Sequence, residues 1–301
     1  MGRVEPAHRQ RSQRQRPLTR STVGAELGAA VRRLRMARVQ TPVLDAEVLL
    51  GHVLRTSREF LRTYPEAPVT LQDRRRFRAL VTRRASHVPV AYLVGIKEFY
   101  GHRLAVSPAV LIPRPETEIL VERAIAFLRA HPTVRRVIDV GTGSGAIAIA
   151  LASAVRRLRV DAVELDRRAL RVARRNVRDL GLSSRIRVRQ GDLLDGSTRV
   201  RCVVANLPYL SLDRRRHLPP DVRHEPVRAL SGGRDGLDLI RRLLDQAPAT
   251  LRAPGCLLLE CDPAQARRVR GLATRAFPAA RVAVLHDLSG RARGVEVLVL
   301  T

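Results

Sequence analysis

One stretch constrains the fold of this chain more than any other: Val137-Ile138-Asp139-Val140 runs into Gly141-Thr142-Gly143-Ser144-Gly145, and Ala146 opens an alanine- and isoleucine-rich segment. The β-branched run reads as a buried strand, and the apolar segment from Ala146 to Val155 as a short buried helix. Three glycines at alternate positions permit positive φ and leave the main chain open to a ligand, because no Cβ stands in the way. The spacing is G-x-G-x-G, whereas a dinucleotide site prefers G-x-G-x-x-G. Taken alone, the turn is either a plain strand-to-helix connection or the floor of a nucleotide-type site.

Two further strand patterns close on carboxylates. Arg159 to Asp166 reads as a strand ending near Glu164, roughly twenty residues beyond the glycines, where a carboxylate can accept both hydroxyls of a ribose. Asp166 is better placed to cap the helix expected from Arg167 to Leu180, since Asp accepts from free N-terminal amides. Ile186 to Gln190 alternates as a third strand, and Asp192 behind it could accept from an adenine amino group. Each acid singly could be a solvated residue at a strand tip. Three of them after three successive strands make chance a weaker account.

The apolar run Cys202-Val203-Val204-Ala205 ends in Asn206-Leu207-Pro208-Tyr209. An amide or exocyclic amine nitrogen is a poor nucleophile because its lone pair is delocalised. To attack a sulfonium methyl, it needs its hydrogens held and its lone pair aimed, and orientation supplies most of the gain. The Asn206 side-chain oxygen can accept one N–H and the carbonyl of Leu207 another, while Tyr209 offers a flat wall to a planar group. Pro208 biases residue 207 toward an extended backbone, which fixes where that carbonyl points. The competing reading is an ordinary strand-end turn, for which Asn and Pro are common.

With these residues in view, the chain resembles the class I S-adenosylmethionine-dependent methyltransferases, and more narrowly the peptide-chain release factor glutamine methyltransferases. The resemblance spans roughly residues 21 to 300. Its specific stretches are Pro89 to Gly95, Glu98-Phe99-Tyr100-Gly101, Leu111 to Glu118, Val222 to Pro226 with Ala229-Leu230, and Gly232 to Leu237. It implies an α/β fold, a Rossmann-like class I methyltransferase sheet with a small N-terminal helical domain. It also implies methylation of the side-chain amide of the glutamine in a Gly-Gly-Gln motif, with S-adenosyl-L-methionine as donor and release factors as protein partners. Carried over by position, Asp139, Gly141, Thr142, Gly143, Ser144, Gly145, Glu164, Asp192, Leu193 and Asn206 are expected around the donor. Asn206, Leu207, Pro208 and Tyr209 are expected to hold the target glutamine. The family pattern has Pro where this chain has Leu207. Arg114 and Glu118 either shape the pocket mouth or, for Glu118, supply a first-turn acid to a helix from Glu116 to Arg129. Phe99 is either a channel wall or core.

The net charge of +28 invites a nucleic-acid reading. The basic residues, however, are spread along the chain rather than gathered in one stripe, and Lys97 is the single lysine. A genome-wide arginine bias explains that pattern at least as well, so nucleic acid stands as a possible but not preferred partner. The alternatives in substrate are a ribosomal-protein glutamine or an adenine amino group in DNA or RNA; a non-catalytic RNA-binding protein is the alternative in class. An intact Asn206 and glycine turn speak against the last. The cysteines, Cys202, Cys256 and Cys261, lie in or beside apolar strand patterns and read as buried thiols. The histidines show no metal-ligand spacing. No run reaches the length of a membrane span, and Met1 to Arg20 lacks the apolar stretch of a signal peptide, so a cytoplasmic location without membrane association is expected.

Residues 1–20, with Arg3, Arg9, Arg11, Arg14, Arg16 and Arg20 among polar residues and Pro, are expected to form a disordered basic tail. Residues 21–88 carry helical patterns over Ser21–Arg38, Leu44–Leu54 behind a Thr41-Pro42 start, Ser57–Thr63 and Leu71–Ser86, a helical domain suited to gripping a protein substrate. Residues 89–114 read as a β-hairpin linker. Residues 115–301 form the expected methyltransferase domain, in which strands and helices alternate as in a parallel sheet until Arg281–His286 and Val295–Leu300 suggest an antiparallel pair at the sheet edge.

Overall fold

The structure, a computed structural model, describes residues 21–300. The basic tail expected over residues 1–20 lies outside the described residues. The chain divides into two compact units after Ser86.

In the first unit, β1 (Ser21–Thr22) pairs with β2 (Pro68–Val69), and α1 (Val23–Met36), α2 (Pro42–Leu54), α3 (Arg58–Thr63) and α4 (Leu71–Ala85) pack together. Thr22, Ser57 and Thr70 cap three of these helices, each accepting from a first-turn N–H. Thr41 instead donates its hydroxyl to Asp45 (2.8 Å). The acids of the interior are each matched by arginine: Arg84 donates to Asp45 (2.6 Å), Arg62 to Glu47 (2.8 Å) and Arg78 to Glu26 (2.9 Å). Buried carboxylates are tolerated because they are paired and hydrogen-bonded.

The second unit opens with α5 (Val90–Val94), a short helix where the sequence suggested only a hairpin. Gly95 ends it in the left-handed region (φ 79°), and the hairpin β3 (Ile96–Phe99) and β4 (His102–Ala105) follows. A 3₁₀ turn (Pro115–Thr117) leads into α6 (Glu118–Ala130). Then come β5 (Arg136–Val140), α7 (Ala146–Ala154), β6 (Arg159–Glu164), α8 (Arg167–Asp179), β7 (Ile186–Gln190), β8 (Val200–Ala205), α9 (Leu212–Arg216), α10 (Val227–Leu230), α11 (Asp238–Thr250), β9 (Leu251–Glu260), α12 (Ala266–Ala276), β10 (Arg281–His286) and β11 (Ala292–Val299).

Seven of these strands form one sheet in the order β10-β11-β9-β8-β5-β6-β7, parallel except where β11 meets β9 and β10. Its central strands read as continuous apolar runs because both faces are covered. Val137, Cys202, Val204, Cys256 and Leu258 point to the face packed by α6 and α7. Their neighbours Ile138, Val203, Ala205, Leu257 and Leu259 point to the face packed by α11 and α12. Truncating a fully buried side chain here, such as Leu151, is expected to cost about 2–5 kcal/mol.

Strand order reverses between β5 and β8, which is where α/β sheets of this kind open a crevice at their carboxyl ends. Val140 pairs with Ala205, so Gly141 and Asn206, the next residue on each strand, emerge side by side. Among the described residues no helix is long and apolar enough to cross a membrane.

Candidate active site

A cavity of about 1140 Å³, counting the space open at its mouth, lies at this reversal point. The glycine turn, Glu164 and Leu193 wall one side; Asn206, Leu207 and Thr117 wall the other.

The glycine turn is held by backbone groups from the neighbouring strand. Gly141 N and Thr142 N both donate to Val163 O (2.9 and 3.0 Å). Gly141 sits at φ 72°, a conformation that favours glycine, and a Cβ there would press on the end of the Leu207 side chain, 3.0 Å from Cδ2. Gly145 (φ 85°) does not line the cavity; it starts α7 against Ala173 of α8. Asn176, which has no role in the sequence reading, ties this turn to the hairpin. Its amide donates to Ser144 O (2.8 Å) and Ala105 O (3.0 Å) and accepts from Ala105 N (2.8 Å).

Asp139 is wholly buried under the turn rather than on the cavity wall. Its Oδ2 accepts from Thr142 Oγ1 (2.5 Å) and Ala148 N (3.1 Å), while Oδ1 has no partner. Burial pushes its carboxyl up to about 7, against the opposing pull of those two hydrogen bonds. Glu164 ends β6 and faces the cavity. Its Oε2 accepts from Gly143 N (2.9 Å) and its Oε1 from Asp166 N (2.9 Å). Burial raises its carboxyl and the backbone N–H groups draw it back. Each carboxylate oxygen keeps a lone pair for a ligand hydroxyl. Asp166 caps α8, accepting from Arg168 N (2.6 Å) and Ala169 N (3.3 Å).

At the end of β7 the structure separates two neighbours that the sequence grouped. Leu193 is buried on the cavity wall with φ 50°, a left-handed conformation that a leucine adopts only under constraint. The constraint is visible beside it: Leu194 N donates to Gln246 Oε1 (2.9 Å), and Gln246 Nε2 donates to Asp195 (2.9 Å). Asp192 is corrected by this arrangement. It stands off the cavity wall and accepts from Arg242 Nη2 (2.7 Å) on α11, because the turn at Leu193 aims the apolar side chain inward instead.

The Asn206 segment is built from partners far away in the chain. Asn206 Nδ2 donates to Thr117 Oγ1 (3.0 Å), and Thr117 Oγ1 donates to Glu260 Oε2 (2.6 Å). Tyr209 also does not line the cavity; its hydroxyl donates to Glu260 Oε1 (3.2 Å), and burial raises its phenol. Gln265 Nε2 donates to Tyr209 O (2.9 Å). Gly232 and Gly236 lie so close that a Cβ on them would stand 2.5 Å from Pro208 O and 2.2 Å from Tyr209 O. Leu207 is buried against the glycine turn and lines the cavity with Pro208. Sequence reasoning missed Glu260 and gave Thr117 no role. The signal for Glu260 was present: it is an acid closing the apolar run of β9, as Glu164 closes β6.

Over the mouth, Glu225 joins two segments that line the cavity. It accepts from Ile112 N (3.1 Å) and from Arg114 Nη2. Glu118 begins α6 and accepts from Tyr100 N (3.0 Å). Phe99 is buried and also lines the cavity, so the two readings of it coincide.

Seven sheet strands, helices on both faces and a glycine turn beside Asn206 define a class I methyltransferase. Among solved structures, the catalytic domain of hMettl16 in complex with MAT2A 3′UTR hairpin 6 has this fold. It matches with a TM-score of 0.56 at 18% identity, over 72% of this chain and 81% of that one. The same domain with hairpin 1 gives 0.54 at 15% identity, over 84% and 91%. Family models for the PrmC N-terminal domain and the methyltransferase small domain match residues 27–95 and 117–217. The chain is 42% identical over 274 residues to the release factor glutamine methyltransferase of Moorella thermoacetica, covering 90% of this chain and 96% of that protein. It is 36% identical over 256 residues to that of Bacillus anthracis, covering 83% and 90%. The chain belongs to the release factor glutamine methyltransferase family.

Proposed function

We propose that this protein methylates the side-chain amide of the glutamine in the Gly-Gly-Gln motif of a peptide-chain release factor, using S-adenosyl-L-methionine. The observation that carries the reading is the orientation of Asn206. Its NH₂ is committed to Thr117, which leaves the carboxamide oxygen for an N–H of the acceptor.

The residues present fit the donor. The glycine turn admits a ligand against its backbone, and the Glu164 carboxylate faces the cavity with a lone pair on each oxygen for ribose hydroxyls, while Asp139 stays beneath the turn. Leu193 gives the base an apolar surface. When bound, the sulfonium supplies an electrophilic methyl. Everything else falls to the chain: Asn206 Oδ1 and the Leu207 carbonyl hold the amide hydrogens and aim the nitrogen, and Tyr209, anchored through Glu260 and Gln265, fixes the backbone that presents them. Phe99 and Pro208 line the cavity with apolar surface, which keeps water from the acceptor and strengthens these hydrogen bonds. No residue is needed as a strong base, since the proton leaves from the positively charged product.

In this reading residues 21–88 recognise the protein substrate, 89–114 link, and 115–301 carry the transfer. The net charge alone favours nucleic acid, and no contact of the site adds to it. The test is transfer of radiolabel from S-adenosyl-L-methionine to a release factor, its Gly-Gly-Gln glutamine mutant, ribosomal proteins, and total RNA and DNA. Label on the wild-type release factor and not on its mutant is expected. Label on nucleic acid or ribosomal protein alone would overturn the assignment.

A further inference from the structure

We infer that Thr117 and Glu260 are positioning residues that set which end of the Asn206 carboxamide faces the acceptor. This rests on the glutamine-amide reading above. A carboxamide has two ends of nearly equal shape and opposite hydrogen-bonding character. Only the oxygen can accept an N–H of the acceptor; a flipped Asn206 would set NH₂ against NH₂. The glycine turn offers nothing to decide between the ends, but the far side of Asn206 does.

Glu260 and Thr117 are each 4% exposed, and the three groups form a chain with a direction. An ionised carboxylate only accepts. The single hydroxyl hydrogen of Thr117 is therefore committed to Glu260 Oε2 at 2.6 Å, and the side of Oγ1 turned to Asn206 at 3.0 Å carries lone pairs alone. Only the NH₂ end of Asn206 satisfies it. The flipped carboxamide would bring two oxygens together with no hydrogen between them. The second carboxylate oxygen commits the Tyr209 hydroxyl in the same way, so one acid fixes both ends of the tetrapeptide.

The direction of this chain depends on Glu260 being ionised. A protonated Glu260 gains a hydrogen to give, and Thr117 is then free to turn its own toward Asn206. Burial pushes the Glu260 carboxyl up to about 7. The groups facing it are Tyr209 and Thr117, whose hydrogen bonds draw it down, Glu116, which raises it, and Arg293, which lowers it; the Cys261 thiol lies close by. A positive charge brought into the cavity adds to the pull of Arg293 and favours the carboxylate.

The test compares Thr117→Val, which keeps the shape and removes the hydroxyl, with Thr117→Ser, which keeps the hydroxyl and leaves a small void. Turnover with a release factor and affinity for S-adenosyl-L-methionine are measured on the full chain. Thr117→Val is expected to lower kcat by about 10–100-fold, the range for an unmade hydrogen bond in a buried site, with donor affinity within about threefold. Thr117→Ser is expected to regain most of that kcat. A packing role ranks the two the other way, so a serine variant no better than valine, or a valine variant as active as wild type, overturns the inference while the glutamine reading stands. A wild-type protein that places no label on the release factor overturns both. Glu260→Gln supplies a readout independent of the Thr117 variants: the wild type is expected to lose kcat on the acid side at or below pH 7, and the variant, which cannot take up a proton, to lack that limb. An unchanged limb in Glu260→Gln removes Glu260 from the assignment.

Discussion

The two walls of the cavity are built differently. The glycine turn is secured by partners on the same or the adjacent strand-helix unit: Val163 O, the Glu164 carboxylate, and Asp139 beneath it. The Asn206 segment is secured by Thr117, Glu260 and Gln265, which lie 89, 54 and 59 residues from Asn206 in the chain (206 − 117, 260 − 206, 265 − 206). The first wall is a local βα structure of a kind that many methyltransferases can share. The second exists only once β9 has taken its place beside β8 and the turn before α6 has docked over both. In the proposed function, substrate chemistry therefore rests on the part of the site that depends most on the whole sheet, and donor chemistry on the part that depends on it least.

The largest effect expected to break this division is at Asn206. Asn206→Ala removes the group proposed to aim the acceptor, so kcat should fall about 10³-fold or more while donor affinity stays within about threefold, measured by single-turnover label transfer and by calorimetric titration. A parallel loss of donor affinity would show that the two walls are one site. Gly141→Ala probes a close contact between them. Alanine at φ 72° is strained, and its Cβ would press on Leu207 Cδ2 from 3.0 Å, displacing the residue next to Asn206. Donor affinity and kcat should each fall about tenfold. Gly143→Ala bears similar strain (φ 57°) but meets nothing nearer than 3.9 Å, so its loss should be confined to donor affinity. Equal kcat in the two variants would remove Leu207 as the link.

The same division decides what could be read from the amino-acid sequence. The strand, glycine turn and helix at Val137–Ala154, the Glu164 strand end and the Asp166 cap were legible because each is a local pattern with a local cause. The antiparallel edge of β10 and β11 was legible for the same reason. Asp192 was not, because its direction is set by the left-handed turn at Leu193 and by Arg242 on a distant helix. Nor was α5, a five-residue helix whose Gly95 end was read as part of a hairpin. Tyr209 was expected on the cavity wall, and its tie to Glu260 draws its hydroxyl elsewhere. In each case the deciding contact crosses between elements that no single stretch of sequence joins.

A smaller effect separates the walls by pH. Asp139 under the first and Glu260 behind the second are both raised to about 7 by burial. A carboxyl raised by folding stabilises the native state fully below its unfolded value, and that contribution is lost as pH rises through the folded one. Without ligand, stability should therefore decline between about pH 4.5 and 7. Asp235 and Asp287 act oppositely: hydrogen bonds from Arg241 and Ser289, respectively, lower them, and their contribution is lost only in stronger acid. Urea midpoints at pH 5 and 7.5 should show wild type losing on the order of 1 kcal/mol more than Glu260→Gln across that interval. Equal losses would mean that Glu260 is already ionised across the interval, and the acid limb assigned to it would have to come from elsewhere; a still larger loss would mean that it keeps its proton, and the direction of the Thr117 hydrogen bond would then need another source.

The smallest effect is expected where this chain departs from its family. Leu207 has a side chain that packs on Gly141 and, in the proposed function, a carbonyl that meets the acceptor; proline at this position keeps the carbonyl and trims the side chain. Leu207→Pro also restricts the backbone of the unfolded chain and of the segment that must hold still, which favours the native arrangement when φ already suits it. The lost apolar contact at the glycine turn works against that gain. The two should nearly cancel, leaving kcat and donor affinity within about threefold of wild type in steady-state assays. A large loss in donor affinity alone would show that the leucine is the strut on which the glycine turn rests, so that in this protein the substrate wall supports the donor wall rather than merely standing beside it.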